Sequence, residues 1–379
     1  MKKGAQNIPK VPNLRFPGFV GEWEVKQLGD DSNILMCKRI FAEQTNESEG
    51  IPFYKIGTLG KEPDAFISKS LFDEYINKYN FPKIGEILIT CSGTVGKCIV
   101  FDGNDAYYQD SNIVWIDNPT LKTQNEFLYY VLSNINWGKL NSTTITRIYG
   151  SDLRNLKIDY PQEYIEQQKI SSFLSLIDER ISTHSKIIEA LKTSIKATCQ
   201  TVFNDDKEQF TKTPLDSVCC VKKGEQINSS ELSKSGSYAV MNGGTTPSGY
   251  HSNFNADAGT ISISEGGNSC GYVQYNHSKF WSGGHCYTLT KPNSTILNKY
   301  LYYFLKFNEQ HIMSLRIGTG LPNIQKKDLE KFVIRLPNNE DQLEIVRILD
   351  LLTDKLEMEK SFLVLLTKQK QYLLKNLFI

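Results

Sequence analysis

The sequence lacks any apolar run close to the roughly 18 residues that a membrane-spanning helix requires. Its first ten residues, MKKGAQNIPK, are not followed by an apolar stretch and do not resemble a signal peptide. Of its 379 residues, 40% are hydrophobic and 22% are charged, which is typical of a globular protein and not of a disordered one. We therefore expect a cytoplasmic protein without membrane contact, long enough for two domains that each bury a core.

Motifs for enzymatic chemistry are also missing. The eight cysteines contain no CxxC pair and the five histidines no HExxH spacing, so we predict reduced thiols and no metal site. The segment CSGTVGKC differs from a phosphate-binding loop because Cys91 replaces the first glycine and Cys98 replaces the magnesium-binding hydroxyl residue. No methyltransferase or dinucleotide fingerprint is present. A nucleophilic role for His285 and Cys286 is less favoured than a loop or strand-end role, and we predict no catalytic residue.

A strong positive charge, the usual mark of a nucleic-acid-binding chain, is absent as well. The 43 lysines and arginines are balanced by 42 aspartates and glutamates, for a net charge of +1. Any DNA-binding surface must then be a local patch, or belong to a complex whose partners supply positive charge. The near-neutral charge also favours a different class of function, a protein-interaction scaffold whose domains bind no DNA.

What the sequence does contain is a repeat with a shift of 175 residues. Apolar positions spaced 4,3,4,3 run for four heptads from Ile170 to Val202 and again from Ile345 to Leu377, with eight of ten positions apolar in each copy. This a/d stripe predicts two helices of roughly 50 Å that pack on each other. The positions that we expect in the seam include Ile170, Leu174, Ile177, Ile181, His184, Ile188, Leu349, Leu352, Leu356, Glu359, Leu363 and Leu366.

The repeat extends upstream of each helix. The β-rich segment 85–101 aligns without a gap beside 259–275, and short β-branched runs separated by Gly, Asn, Asp and Ser predict strands and turns. With one short helix in each copy, the fold class is α+β, with two homologous globular domains, two long antiparallel helices and a pseudo-twofold internal repeat. The expected order is domain 1–160, helix 161–203, domain 204–336 and helix 337–379.

Several short motifs carry a family resemblance. The opening PNLRFPGFVGEWEVKQLGD (12–30) occurs once. Three others follow in the same order in both halves: a Leu-Tyr-Tyr helix, a Thr-x-[Ile/Leu]-x-x-Ile-x-x-x-Asp-Leu segment, and a long-helix start, which is Pro161…Glu-Gln-Gln-Lys-Ile170 in the first half and Pro337…Asp-Gln-Leu-Glu-Ile345 in the second. Each motif alone is weak, but their repeated order is specific. Over essentially its full length the chain resembles the specificity subunit of a type I restriction–modification enzyme.

The resemblance implies that each globular domain is a target recognition domain that reads one half of a split double-stranded DNA sequence. The two helices would be spacers that hold the halves at a fixed separation. Such subunits are not catalytic and bind no cofactor. They dock two methyltransferase subunits, which use S-adenosylmethionine, and through them two restriction subunits driven by ATP with Mg²⁺.

DNA readout needs side chains with fixed donors or acceptors at base edges, together with phosphate contacts that set the register. The candidates lie on the glycine-rich loops and just before the long helices, although some of them could be ordinary solvated loop residues. They are Ser92, Thr94, Lys97, Thr143, Thr144, Arg147 and Tyr149 in the first domain, and Asn242, Asn268, Ser269, Arg316, Thr319, Asn323 and Lys326 in the second.

Two heptad positions carry polar residues at the same place in both copies. His184 and Glu359 lie near the middle of their helices, where equivalent residues of an antiparallel pair approach one another. We expect them to meet across the seam as a hydrogen-bonded pair that fixes the register. The alternative is a seam that opens there, with both side chains in solvent.

Overall fold

The structure is a computed structural model that describes residues 10–139, 147–204, 210–318, 320 and 322–379. The chain divides into two compact units, which we call unit 1 (Met1–Thr183 with Leu363–Ile379) and unit 2 (His184–Phe362). Both boundaries fall inside the long helices, so each unit contains part of each helix.

The first half of the chain is a small mixed domain followed by a long helix. Its elements are β1 (Glu24–Gln27), β2 (Asn33–Leu35), β3 (Thr45–Asn46), β4 (Ile51–Tyr54), β5 (Phe66–Ile67), α1 (Lys69–Lys78), β6 (Ile87–Thr90), β7 (Cys98–Val100), β8 (Tyr107–Tyr108), β9 (Ile113–Asp117), α2 (Asn125–Asn134), α3 (Gly150–Arg154), β10 (Lys157–Tyr160) and α4 (Tyr164–Asn204).

The second half follows the same plan. Its elements are β11 (Thr211–Pro214), β12 (Cys220–Lys223), β13 (Tyr238–Met241), β14 (Gly249–His251), β15 (Thr260–Ser264), β16 (Val273–Asn276), β17 (Phe280–Ser282), β18 (Cys286–Thr290), α5 (Asn298–Phe307), α6 (Glu309–Ser314), α7 (Lys326–Glu330), β19 (Val333–Leu336) and α8 (Asn339–Leu377).

The strand pairing repeats from one half to the other. Antiparallel sheets of order β2-β9-β6-β7 and β12-β18-β15-β16 form the centre of each domain. The pairs β1-β10 and β11-β19 tie the start of each domain to the segment before its long helix. In both halves a parallel pair, β4-β8 or β13-β17, completes a smaller sheet. The predicted α+β duplication is therefore confirmed.

The side chains of the central strand β6 alternate between two separate hydrophobic cores of the first domain. Ile87 and Ile89 face a core shared with α2, whereas Leu88 faces a second core shared with α1 and the smaller sheet. In the second domain Ile261 and Ile263 face the core formed with α5, but Ser262 takes the opposite side and accepts a hydrogen bond from Asn276 Nδ2 at 2.9 Å. The helix α1, which the sequence analysis did not predict, belongs only to the first domain.

The heptad stripes form the buried faces of α4 and α8. In unit 1, Ile170, Leu174 and Ile177 near the start of α4 share a core with Leu373 and Leu377 near the end of α8. This pairing of one helix's start with the other's end is antiparallel, and in unit 2 the start of α8 likewise lies beside the end of α4. Among the other seam positions, Ile188, Leu349, Leu356 and Glu359 are buried and Ile181, His184, Leu352, Leu363 and Leu366 are half-buried.

A buried glutamine anchors each long helix to its domain. Gln167 is fully buried; its Oε1 accepts the Gln124 N–H at 2.8 Å, and its Nε2 donates to the Pro161 carbonyl at 2.9 Å. Gln342 makes the same two bonds to Leu297 and Pro337, at 2.8 and 3.0 Å. These glutamines fix where each helix leaves its domain, because each buried amide is hydrogen-bonded to three backbone groups.

Candidate nucleic-acid interface

Three chain segments meet at the end of the central strand of the first domain. Cys91 follows β6; its N–H donates to the Asn112 carbonyl at 2.7 Å, and its carbonyl accepts the Ile148 N–H at 2.8 Å. These two bonds hold three segments side by side: the glycine loop (91–97), the β8–β9 loop (109–112) and the segment before α3 (147–149). We call this meeting point the junction.

The second domain repeats this junction with different residues. Glu265 follows β15; its N–H donates to the His285 carbonyl at 2.9 Å, and its carbonyl accepts the Ile324 N–H at 2.9 Å. Cys91 is therefore structurally equivalent to Glu265, and Asn112 is structurally equivalent to His285. Residues of different chemistry occupy one backbone framework in the two domains.

The glycine loops differ in length, and the ungapped alignment of 85–101 with 259–275 is wrong by one residue. Gly96 N–H donates to the Thr90 carbonyl and Gly271 N–H to the Ser264 carbonyl, each at 2.8 Å. Both glycines have a positive φ, which closes the turn without steric cost. The second loop therefore contains one extra residue between the same two hydrogen-bonded ends.

In the first domain the junction brings together several of the predicted DNA contacts. Arg147 Nη2 donates to the Ser111 carbonyl at 3.2 Å, and its guanidinium lies 5.8 Å from the centre of the exposed Tyr149 ring. Ser92 Oγ donates to Asn112 Oδ1 at 2.7 Å. The β8–β9 loop thus positions both the glycine loop and Arg147.

Ser111, Arg147 and Tyr149 line a cavity of about 280 Å³ that the sequence analysis missed. Met36 and Tyr149 supply apolar surface, while Arg147 and Arg154 supply positive charge. Met36 follows β2 and belongs to no sequence motif, so only the pairing of β2 with β9 reveals that it lines this cavity.

The other predicted residues of the first domain are less well placed. Lys97 is half-buried and its ammonium donates to the Leu59 carbonyl, which restricts the directions in which its remaining N–H donors can meet a phosphate. Thr94 is exposed, and its carbonyl accepts the Thr90 hydroxyl. Thr143 and Thr144 lie outside the described residues.

In the second domain the junction holds a charged cluster of Lys223, Glu265 and His285, which the sequence analysis did not predict. Glu265 is 8% exposed; its Oε1 accepts bonds from Lys223 Nζ at 2.6 Å and from the buried Tyr287 hydroxyl at 3.1 Å. Its Oε2 lies 3.8 Å from His285 Nδ1 and has no hydrogen-bond partner among the described residues. Lys223 and His285 are more than half exposed, so the buried carboxylate anchors a surface lysine and lies beside a surface imidazole.

Glycines allow the backbone to approach this cluster closely. A Cβ at Gly283 would lie 2.5 Å from Asn242 Oδ1, and a Cβ at Gly243 would lie 3.0 Å from the His285 carbonyl. Asn242 Oδ1 accepts the His285 N–H at 3.1 Å. The amide oxygen of this predicted base-reading residue therefore helps to hold the His285 loop.

The remaining predicted residues of the second domain surround this cluster only in part. Asn323 is exposed and pairs with Gly266 beside Glu265. Asn268 and Arg316 are exposed and Ser269 is half-buried, whereas Lys326 forms a 3.4 Å ion pair with Glu330. Thr319 lies outside the described residues.

The thiols at both junctions are unsuited to nucleophilic chemistry. Burial raises the pKa of Cys91 and that of Cys286 to about 11, so both side chains are neutral thiols at pH 7. Among the described residues no group of His, Cys, Asp and Glu side chains is placed to bind a metal ion. No helix in that part of the chain has the length and apolar character to cross a membrane.

A family model described as the type I restriction modification DNA specificity domain matches residues 21–193 and again residues 207–368. A Haemophilus influenzae protein described as a type I restriction enzyme specificity subunit is 46% identical over 173 residues, which is 46% of this chain and 44% of that protein. A type I specificity subunit of Mycoplasma genitalium is 33% identical over 45% of this chain and 44% of its own length. The matched part therefore spans less than half the length of these relatives.

Relatives that align over more of the chain have lower sequence identity. A Methanocaldococcus jannaschii type I specificity subunit is 22% identical over 90% of this chain and 89% of its own length. The crystal structure of a type I restriction–modification S subunit from M. genitalium has a TM-score of 0.77 at 22% identity, covering 97% of this chain and 99% of that one. The shared fold therefore extends across both halves.

Proposed function

The chain belongs to the type I restriction–modification DNA specificity family, and from this we propose that it is the non-catalytic subunit that selects the DNA target. Each globular domain reads one half of a bipartite double-stranded sequence. The target is asymmetric, because the side chains at the equivalent junctions differ.

The contrast between those junctions is the observation that carries the proposal. Equivalent backbone hydrogen bonds present Cys91 and Asn112 in the first domain but Glu265 and His285 in the second. A duplicated framework with exchanged side chains suits a reader of two different base sequences. A scaffold would have no need for a buried carboxylate that fixes a surface lysine.

In the second domain, Lys223 is the side chain best suited to reading a base. A lysine held by Glu265 presents its remaining N–H donors in a limited set of directions, which favours guanine O6 and N7. A phosphate contact has no such need of fixed geometry, since it depends mainly on charge. His285, on the same carboxylate, adds a second donor or acceptor.

In the first domain, Arg147 fills the corresponding role. Its contact with the Ser111 carbonyl and its place beside the Tyr149 ring restrict the guanidinium plane, and Met36 offers apolar surface beside it. Arginine with neighbouring apolar area fits a guanine next to a thymine methyl group.

The long helices would set the separation of the two half-sites and bind the methyltransferase subunits. On α8 the exposed residues Leu351, Met358, Leu365 and Tyr372 follow one another at seven-residue intervals. This second apolar stripe is the surface that a partner helix would cover. Methylation with S-adenosylmethionine, and ATP- and Mg²⁺-dependent restriction through two further subunits, would take place in the partners.

Sequencing of methylated adenines in cells that express the chain with its methyltransferase subunit tests the proposal. We expect one asymmetric split motif, which disappears when the chain is omitted. Lys223→Ala should relax one base position in one half of the motif, and Arg147→Ala should relax one position in the other half, at about 1–3 kcal/mol each. Lys327→Ala and Lys157→Ala are exposed controls in the two domains and should leave the motif unchanged.

The near-neutral charge keeps a scaffold without DNA contact as a second candidate. Binding of a target duplex by the assembled complex separates the two functions. A DNA reader should lose affinity steeply as salt rises, because phosphate contacts release counterions. If the chain with its confirmed methyltransferase partner leaves adenine methylation unchanged, only the scaffold survives.

A further inference from the structure

Unit 1 contains an open groove of about 470 Å³ that shares no lining residue with the cavity of the candidate DNA interface. It lies between β7, α2 and the first turns of α4. Val100 and Tyr129 give it apolar walls, Ser171 and Ser175 line its α4 side, and Glu126 and Asp178 supply two carboxylates.

Unit 2 fills the corresponding position with its own residues. The strand registers make Val100 equivalent to Tyr275, because they pair with the equivalent residues Ile87 and Ile261. In α5, Lys299 extends over the Tyr275 ring, with Nζ 4.8 Å from the ring centre and 2.9 Å from Asp350 Oδ1.

Three replacements leave the groove open in unit 1. Val100 stands in place of the large Tyr275, and the first turn of α2 carries Glu126 where α5 carries Lys299. On the long helix, a shift of 175 residues puts Ser175 in place of Asp350. The aromatic ring, the cation and its carboxylate are therefore all missing at this one site.

The charge of the groove indicates what would fill it. Asp178 is already paired, with Tyr130 at 2.9 Å and Lys370 at 2.5 Å. Glu126 is exposed and makes no ion pair among the described residues. An incoming cation would thus meet an unneutralised carboxylate at the rim, with the Tyr129 ring and Val100 beside its aliphatic stem.

We propose that this groove binds a lysine or arginine side chain of the methyltransferase subunit, which takes the place that Lys299 occupies in unit 2. The inference depends on the proposed function for the identity of the partner. The two units would then contact their partners differently: unit 1 receives a cation and unit 2 already contains one.

The test is the affinity of the full-length chain for the methyltransferase subunit, measured by isothermal titration calorimetry. Glu126→Lys places a cation where unit 2 has Lys299, and the addition of Val100→Tyr also restores the aromatic ring. Both variants should weaken binding by at least about tenfold. Glu179→Lys makes the same charge change at an exposed α4 position that does not line the groove, and should stay within about twofold of wild type. Thermal unfolding checks that the variants fold, which the natural lysine at position 299 leads us to expect.

Four outcomes are distinguishable. Weakened binding by the Glu126→Lys variants, with Glu179→Lys close to wild type, supports the inference. Equal binding by wild type and Glu126→Lys overturns it and leaves the proposed function intact, as would equal losses in Glu126→Lys and Glu179→Lys. If the wild-type chain fails to bind the methyltransferase subunit at all, both the inference and the proposed docking function fail.

Discussion

His184 Nδ1 lies 2.5 Å from Glu359 Oε2 inside the largely apolar seam of unit 2. The Phe362 ring stacks against the imidazole with 5.8 Å between ring centres. Because Glu359 is only 8% exposed, its carboxylate has lost most of its contact with water, and the His184 imidazole replaces part of that lost solvation. A slip of the seam would bury the carboxylate without the imidazole, so the pair penalises other registers.

Removal of the histidine alone should therefore be costly. We expect His184→Leu to lower the free energy of unfolding by about 3 kcal/mol, because it leaves a buried carboxylate unpaired. The double variant His184→Leu with Glu359→Leu should regain wild-type stability or exceed it, since two leucines continue the heptad. Urea denaturation measures both. Glu357→Gln, which removes an exposed ion pair with Lys360, should change stability by less than about 0.5 kcal/mol, and a His184→Leu effect of that size would contradict the argument.

The buried glutamine of α8 gives a second prediction. Gln342→Leu leaves the Leu297 N–H and the carbonyls of Thr295 and Pro337 without partners, at a total cost of about 3 kcal/mol or more. Gln168→Leu changes an exposed glutamine near the start of α4 and should be nearly neutral. Hydrogen exchange would show early opening of the α5 start in Gln342→Leu, and protection equal to wild type would exclude the anchoring role.

The pH dependence of stability should report on Asp31. Hydrogen bonds from Lys26 and Lys122 outweigh burial and hold the pKa of the Asp31 carboxyl below its ordinary value of 3.8. A pKa lowered by folding adds stability above the ordinary value, and this stability is lost as the pH falls through the lowered pKa.

Asp31→Asn should accordingly be less stable than wild type at pH 7, and the difference should shrink as the pH falls below about 4. Urea denaturation at several pH values gives the comparison. Asp64→Asn, in an exposed pair with Lys55, serves as the control and should show little difference at any pH. A gap between Asp31→Asn and wild type that widens on acidification would reverse the assigned sign.

Equivalent phenylalanines complete the core of each unit from the end of a long helix. In unit 1 the Phe378 ring lies 5.4 Å from that of Phe127, and in unit 2 the Phe203 ring lies 5.8 Å from that of the equivalent Tyr300. Each ring occupies the same place in the repeated plan.

A fragment of residues 1–203 should therefore form a dimer. It keeps one domain and α4 but lacks Phe378, and Phe203 of a second copy offers the same side chain for the vacated position. Sedimentation equilibrium should give twice the monomer mass, and Phe203→Ala should weaken the association. A soluble fragment that stays monomeric, both alone and with the methyltransferase subunit, would refute the symmetry of the repeat.

The sequence predicted the long helices and the duplication because their signals are local or repeated. A heptad stripe needs only the residues of its own helix, and none of the seam residues from Ile170 to Leu366 is exposed. The His184–Glu359 contact also followed from position alone, since equivalent central residues of antiparallel helices meet. The one-residue error in the second glycine loop arose because turn lengths vary without disturbing the flanking strands.

Only the tertiary structure revealed the charged cluster and the groove. Lys223 and Glu265 are 42 residues apart and meet because β12 and β15 both pair with β18. The open groove depends on which side chains face each other across β7, α2 and α4, and no local pattern encodes that. Periodicity within single helices and the repeat between the two halves thus determined the expected order of domains and helices, whereas the chemistry of the site was decided by strand pairing, which brings distant residues together.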